Sequence, residues 1–172
     1  MTALIVEDVP GRGDVRVVLL VRPGVYHRGD LGLAYSTGKT LRVELAPRLV
    51  RLLLALVAAY HAAPPAHAYG DDALFGEDDY RGQVHPIKLG QLYGRVSPPA
   101  AVIEPKTVRS YVSELRHLVR RALEQAGDPT LVDPEVIAGG DGYRIGRNGI
   151  EVRGYDRGGD GPQSARVTGA FG

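Results

Sequence analysis

The sequence predicts an α+β domain, and three observations carry the prediction. Short β-type runs fill the first 45 residues, helical apolar spacing takes over from Leu45, and a Gly-rich turn flanked by two short apolar runs follows the last helix. The expected layout is an N-terminal antiparallel β-sheet, three helices and a C-terminal β-hairpin.

The N-terminal region, 1–45, reads as a meander of runs at 2–9, 14–22, 25–35 and 39–45, separated by Gly11, Gly13, Pro23-Gly24 and Thr37-Gly38. In the last run Leu41, Val43 and Leu45 alternate with Thr40, Arg42 and Glu44, so one face is expected to be wet. A first helix is expected over 46–61. Leu45, Leu49, Leu52, Leu53, Leu56, Val57 and Tyr60 recur at helical spacing, Pro47 sits where a first turn tolerates it, and Pro64-Pro65 stops it.

Residues 62–85 form an acidic insertion carrying Asp71, Asp72, Glu77, Asp78 and Asp79, and are read as a long loop. A short helix over 86–93 is followed by a Pro-broken link, 94–104. The strongest helical signal spans 105–127, from Pro105 to a stop at Gly127, with Val108, Val112, Leu115, Val119 and Ala122 or Leu123 on one stripe. Its other face carries Lys106, Arg109, Ser110, Ser113, Arg116, His117, Arg120 and Arg121, and Glu114 is the one acid between Pro105 and Arg121. Two short strands, at 135–138 and 143–146, flank Gly139-Gly140-Asp141-Gly142. The folded domain is therefore expected over 1–153, with the hairpin in 135–153 and a disordered tail over 154–172, where Gly, Arg and Asp dominate.

Composition narrows the function classes. Hydrophobic residues make up 44% and charged residues 24%, which suits one compact core. The net charge is only +1, so any nucleic-acid contact must come from local clustering of charge. There are no cysteines, which excludes disulfides, thiolate chemistry and Cys-bound metal centres. The most apolar run, 49–59, falls short of the roughly 20 residues a membrane helix needs. No export signal is visible at the N-terminus, and a cytoplasmic protein is expected.

A basic amphipathic helix followed by a Gly-tipped hairpin can seat the helix in a DNA major groove and the hairpin against the neighbouring backbone. The residues of 107–118, Thr-Val-Arg-Ser-Tyr-Val-Ser-Glu-Leu-Arg-His-Leu, resemble the recognition helix of the OmpR/PhoB-type winged helix-turn-helix family. Gly140-Asp141-Gly142-Tyr143-Arg144-Ile145 is similar to that family's wing, Gly-x-Gly-Tyr-Arg-hydrophobic. The resemblance is sharp over 105–145 and extends in architecture over about 14–152.

The resemblance implies a winged helix-turn-helix, with 86–127 as the helix-turn-helix, and a DNA-binding regulator of transcription. Arg109, Ser110, Ser113, Arg116 and Arg120 would face the groove, Lys106 and His117 would lie near phosphates, and Arg144 would reach a phosphate. Tyr143 would anchor the wing to the core. The link 94–104 would be the loop that touches RNA polymerase. Gly139 stands where the family usually carries an Arg, and the acidic insertion is longer than the family's link. The 45 residues before the first helix are too few for a receiver domain, so aspartyl phosphorylation within this chain is not expected.

The other reading left open is a winged-helix module for protein–protein contact in a defence or signalling assembly, with the acidic 71–79 stretch meeting a basic partner. Oligomeric state stays open, a dimer on DNA included. No enzyme, cofactor or metal site is expected. Ser36-Thr37-Gly38-Lys39-Thr40 fails the phosphate-loop spacing because Gly32 lies one position too early. His27, His61, His67, His85 and His117 lack ligand spacing, and the acidic stretch lacks the order of a calcium loop.

Overall fold

The computed structural model describes residues 8–22, 28–63, 81–96 and 100–154. The described chain is α+β, with a four-stranded sheet, three helices and a separate two-stranded pair. Strands β1 (Arg16–Val21), β2 (Gly29–Ala34) and β3 (Thr40–Leu45) pair antiparallel in sequence order, as the meander reading expects for these runs. In β3, Val43 and Leu45 are buried while Thr40, Arg42 and Glu44 are exposed, so the alternation holds.

The sheet has a fourth member that the sequence reading placed in the hairpin region. Strand β6 (Glu151–Arg153) runs parallel to β1 on the edge opposite β3. Parallel neighbours need a long crossover, and here all three helices lie between the two strands. Charge holds the short strand in place. Nε and Nη2 of Arg16 each donate to the Glu151 carboxylate at 2.8 Å, Arg153 bridges Glu151 and Asp8, and the Asp8 carboxylate accepts the Val152 N–H at 2.8 Å. The Arg16 guanidinium holds the Glu151 carboxyl below its ordinary range.

Helix α1 (Pro47–Ala62) is apolar on most of its circumference, with Leu49, Val50, Leu52–Val57 and Ala59 buried, and it forms the centre of the core. Helix α2 (Pro86–Arg95) runs two residues beyond the predicted end and buries Leu89 and Tyr93. Helix α3 (Pro105–Ala126) buries Val108, Val112, Leu115 and Val119 of the predicted stripe, while Ala122 and Leu123 are partly buried against the same core. It stops where the sequence says it should. Gly127 takes a left-handed φ of 64°, and its N–H donates to the Leu123 and Glu124 carbonyls at 3.3 and 3.1 Å. The second sheet is the antiparallel pair β4 (Ile137–Gly139) and β5 (Tyr143–Ile145).

The turn between β2 and β3 is tied to the segment after α3. Lys39 Nζ donates to Asp128 at 3.0 Å, and the Tyr35 hydroxyl donates to the Val132 carbonyl at 2.7 Å. Hydrogen bonds from the Thr130 hydroxyl and N–H, reinforced by Lys39, pull the Asp128 carboxyl down from 3.8 to about 2. A depressed carboxyl contributes stability above its ordinary pKa and loses it as pH falls through the folded value. Asp128→Asn should therefore melt below the native protein at neutral pH. Thermal melts in a pH series should show the gap closing between about pH 4 and about pH 2.

The segment 64–80, which holds the acidic 71–79 stretch, lies outside the described residues, as do 2–7 of the expected first run, 25–27 of the 25–35 run, 97–99 of the 94–104 link and 155–172 of the expected tail. No helix among the described residues is long and apolar enough to cross a membrane.

Candidate nucleic-acid interface

The geometry of α3 separates its two faces cleanly. The apolar stripe faces the core, while Lys106, Arg109, Ser110, Ser113, His117, Arg120 and Arg121 are exposed. The helix is held on the body by both neighbours. Tyr111 meets Tyr93 of α2 with ring centroids 5.9 Å apart, and the Glu114 carboxylate accepts hydrogen bonds from Nε and Nη2 of Arg48 on α1. That ion pair has an electrostatic consequence: the one acid in the first 17 residues of α3 already faces a cation, so the outward field is set by Lys106, Arg109, Arg116, Arg120 and Arg121.

An open trough of about 700 Å³ runs along this face beside the β4–β5 pair. Arg109, Ser110, Ser113, Arg116, His117, Arg120 and Tyr143 line it, together with Val112 and Glu114. Six of the eight residues predicted to contact DNA thus share one surface. Lys106 is exposed one helical turn toward the α3 N-terminus, outside that lining, and Arg144 lies on β5. Guanidinium N–H groups and serine hydroxyls along a groove are the donors that phosphate oxygens and purine edges accept from.

Arg116 is placed differently from the other basic groups. Its Nη2 donates to the Ile137 and Gly139 carbonyls of β4 at 3.0 and 2.8 Å, and its guanidinium carbon lies 5.7 Å from the Tyr143 ring centroid. Where the sequence reading has Arg116 facing the groove as a contact, the structure also makes it the tie between α3 and β4. Tyr143 is buried, the core position expected for it.

Arg144 also engages a neighbour: its Nη1 donates to Gln83 Oε1 at 2.7 Å. Val84 and Tyr143 exchange two backbone hydrogen bonds of 2.9 Å, so 83–84 borders the free edge of β5. Sequence alone carries no signal for Gln83 or Val84, or for the pairing of Arg48 with Glu114. A one-residue bridge has no periodicity to find, and the Arg48–Glu114 pair joins residues far apart in sequence.

His27 and His67 lie outside the described residues, and no group of three metal-capable side chains occurs among the described ones. The fold and this surface together define an α+β domain that presents one basic helix beside a short β pair. No protein-family model, curated protein or solved structure matches the chain.

Proposed function

We propose that the protein is a sequence-specific DNA-binding regulator of transcription, built as a winged helix-turn-helix of the OmpR/PhoB type. Helix α3 enters the major groove, α2 braces it, and the β4–β5 pair is the wing against the adjacent backbone. The observation that carries this reading is the shared trough. Arg109, Ser110, Ser113, Arg116, His117 and Arg120 line one open surface, and its single carboxylate is paired with Arg48. At 22 residues α3 is about 33 Å long, enough to lie along a groove about 12 Å wide.

In this reading Arg109, Ser110, Ser113 and Arg120 address base edges, while Lys106, His117 and Arg144 address phosphates. Gel-shift and footprinting assays on genomic fragments test it. Salt-sensitive binding with a sequence preference supports it, and its absence from every fragment overturns it. Arg109→Ala and Arg120→Ala should each cost about 1–3 kcal/mol of specific binding and relax the base preference. Lys106→Ala should weaken all sequences alike and lower the salt slope by about 1. All three side chains are exposed, so melting temperatures should hardly move.

A second reading, a winged-helix module for protein contact, has its own observation. Ile87 and Val102 are 55% and 64% exposed, one in the first turn of α2 and one in the 94–104 link. The same surface would serve an RNA polymerase contact through 94–104, and the acidic 71–79 stretch would suit a basic partner. Purification of a stoichiometric protein partner without DNA favours this reading.

A further inference from the structure

A cavity of about 370 Å³ lies between the second half of α3 and the segment that leads into β4. Its floor is apolar, formed by Leu115 and Val119 of α3 together with Val136 and Ile137, all four buried. Its charged lining is balanced. Arg116 and Arg120 lie one helical turn apart on α3, and Asp133 and Glu135 precede β4.

Two of these four charges are already engaged. Arg116 donates to the Ile137 and Gly139 carbonyls, and Asp133 Oδ1 accepts the Glu135 N–H at 2.8 Å. Arg120 and Glu135 are exposed, and among the described residues neither side chain has a hydrogen-bond or ion-pair partner. They line one cavity without pairing with each other. The carboxylate stands on a fixed rim, because Glu135 holds a φ of 48°, a strained value for a residue other than glycine. Asn148 Nδ2 donates to the Pro134 carbonyl at 2.8 Å and the Gly146 N–H to the Val136 carbonyl at 2.9 Å, which locks the backbone on both sides of it.

We infer that this cavity binds a small zwitterion with an aliphatic side chain, an apolar α-amino acid. Arg120 receives the carboxylate, Glu135 and Asp133 Oδ2 receive the ammonium group, and the floor takes the side chain. The two guanidiniums and two carboxylates cancel in formal charge. A simple anion would face both carboxylates and a simple cation both guanidiniums, whereas a zwitterion meets each sign with its opposite. The volume falls in the range of about 300–1,000 Å³ typical of small-molecule sites.

Arg120 also lines the α3 trough. Resting on the DNA-binding reading, an Arg120 held by the amino-acid carboxylate is withdrawn from the base edges, so amino acid and DNA should weaken each other's binding by the same factor. The amino-acid site itself does not depend on that reading.

Calorimetric titration of the full chain with L-leucine, L-isoleucine and L-methionine tests the site without DNA. At least one is expected to saturate in a single event. Its amide, which lacks the carboxylate, and its amine-free acid should each bind about tenfold or more weakly, because each loses a charge-assisted contact. Glu135→Gln should weaken the amino acid by a similar factor, with circular dichroism confirming an intact fold. Arg109→Ala, outside the cavity lining, should leave the titration unchanged. Failure of all three amino acids to saturate, an amine-free acid that binds as tightly as its amino acid, or an equal loss in Arg109→Ala overturns the site. In gel shifts, an amino-acid concentration that saturates the native chain should lower its specific DNA affinity about fivefold or more and have a smaller effect on Glu135→Gln. Amino-acid binding with unchanged DNA affinity overturns the coupling and supports the site. Saturation by an amino acid in a chain that binds no DNA supports the site and overturns the DNA-binding reading.

Discussion

Arg116→Met is expected to loosen the β4–β5 pair in the free protein and to lower DNA affinity together, a combination that no other basic residue of α3 should give. The Arg116 guanidinium donates to two backbone carbonyls, Ile137 and Gly139, on the strand leading into the exposed turn at Gly140 and Asp141. Hydrogen bonds from a charged donor contribute about 1.5–3 kcal/mol when well shielded, and here one of the two is exposed, so a stability loss of about 1–2 kcal/mol is expected. Met keeps the length of the apolar stem and its packing against Tyr143 while removing the donors. Amide hydrogen exchange without DNA is the decisive measurement. Protection around 137–142 should fall in Arg116→Met and stay at native levels in Arg109→Ala. Equal protection in both variants would leave Arg116 as a groove contact alone. In the proposed DNA complex the clamp fixes the distance from helix to wing, so its loss should weaken binding even at salt concentrations where phosphate contacts contribute little.

The contrast between Arg116 and its neighbours shows where sequence is informative. The stripe Val108, Val112, Leu115 and Val119 repeats over 22 residues and is bounded by Pro105 and Gly127, so both faces of α3 were legible before any coordinates. From there the exposed set, Lys106, Arg109, Ser110, Ser113, His117 and Arg120, follows by subtraction. The clamp does not follow. Its acceptors are main-chain carbonyls 21 and 23 residues away, which have no side-chain signature. Strand β6 was lost for a related reason. Three residues carry too little alternation to read, and what places them beside β1 is a charge cluster of Asp8, Arg16, Glu151 and Arg153 whose members lie up to 145 residues apart.

Gly90→Ala is the substitution expected to disturb the helix pair most. Alanine is the better helix former by about 1 kcal/mol, so an exposed glycine at this place in α2 would be improved by the change. Gly90 is buried, however, and a Cβ there would stand 2.1 Å from the Ile103 carbonyl oxygen, whose residue also donates its N–H to the Gly90 carbonyl at 3.4 Å. The obstacle is backbone, not a flexible side chain, so α2 and the segment entering α3 must separate by about an ångström to clear it, an overpacking strain costing about 1–3 kcal/mol or more. With a backbone obstacle the strain falls in the upper part of that range and exceeds the propensity gain, and a net loss of about 1–2 kcal/mol is expected in denaturant titrations. Gly94→Ala is the internal comparison. One turn further along the same helix, its Cβ would meet the Ala100 oxygen at 3.1 Å, a contact relieved by a few tenths of an ångström, and its stability should stay within about 1 kcal/mol of the native value. The pair also separates structure from recognition. The approach of Ile103 to Gly90 sets how α3 leaves α2, so under the proposed function Gly90→Ala should lower stability and DNA binding together, whereas Arg109→Ala should lower binding alone. If Gly90→Ala is as stable as Gly94→Ala, the close approach does not set the geometry of the helix pair.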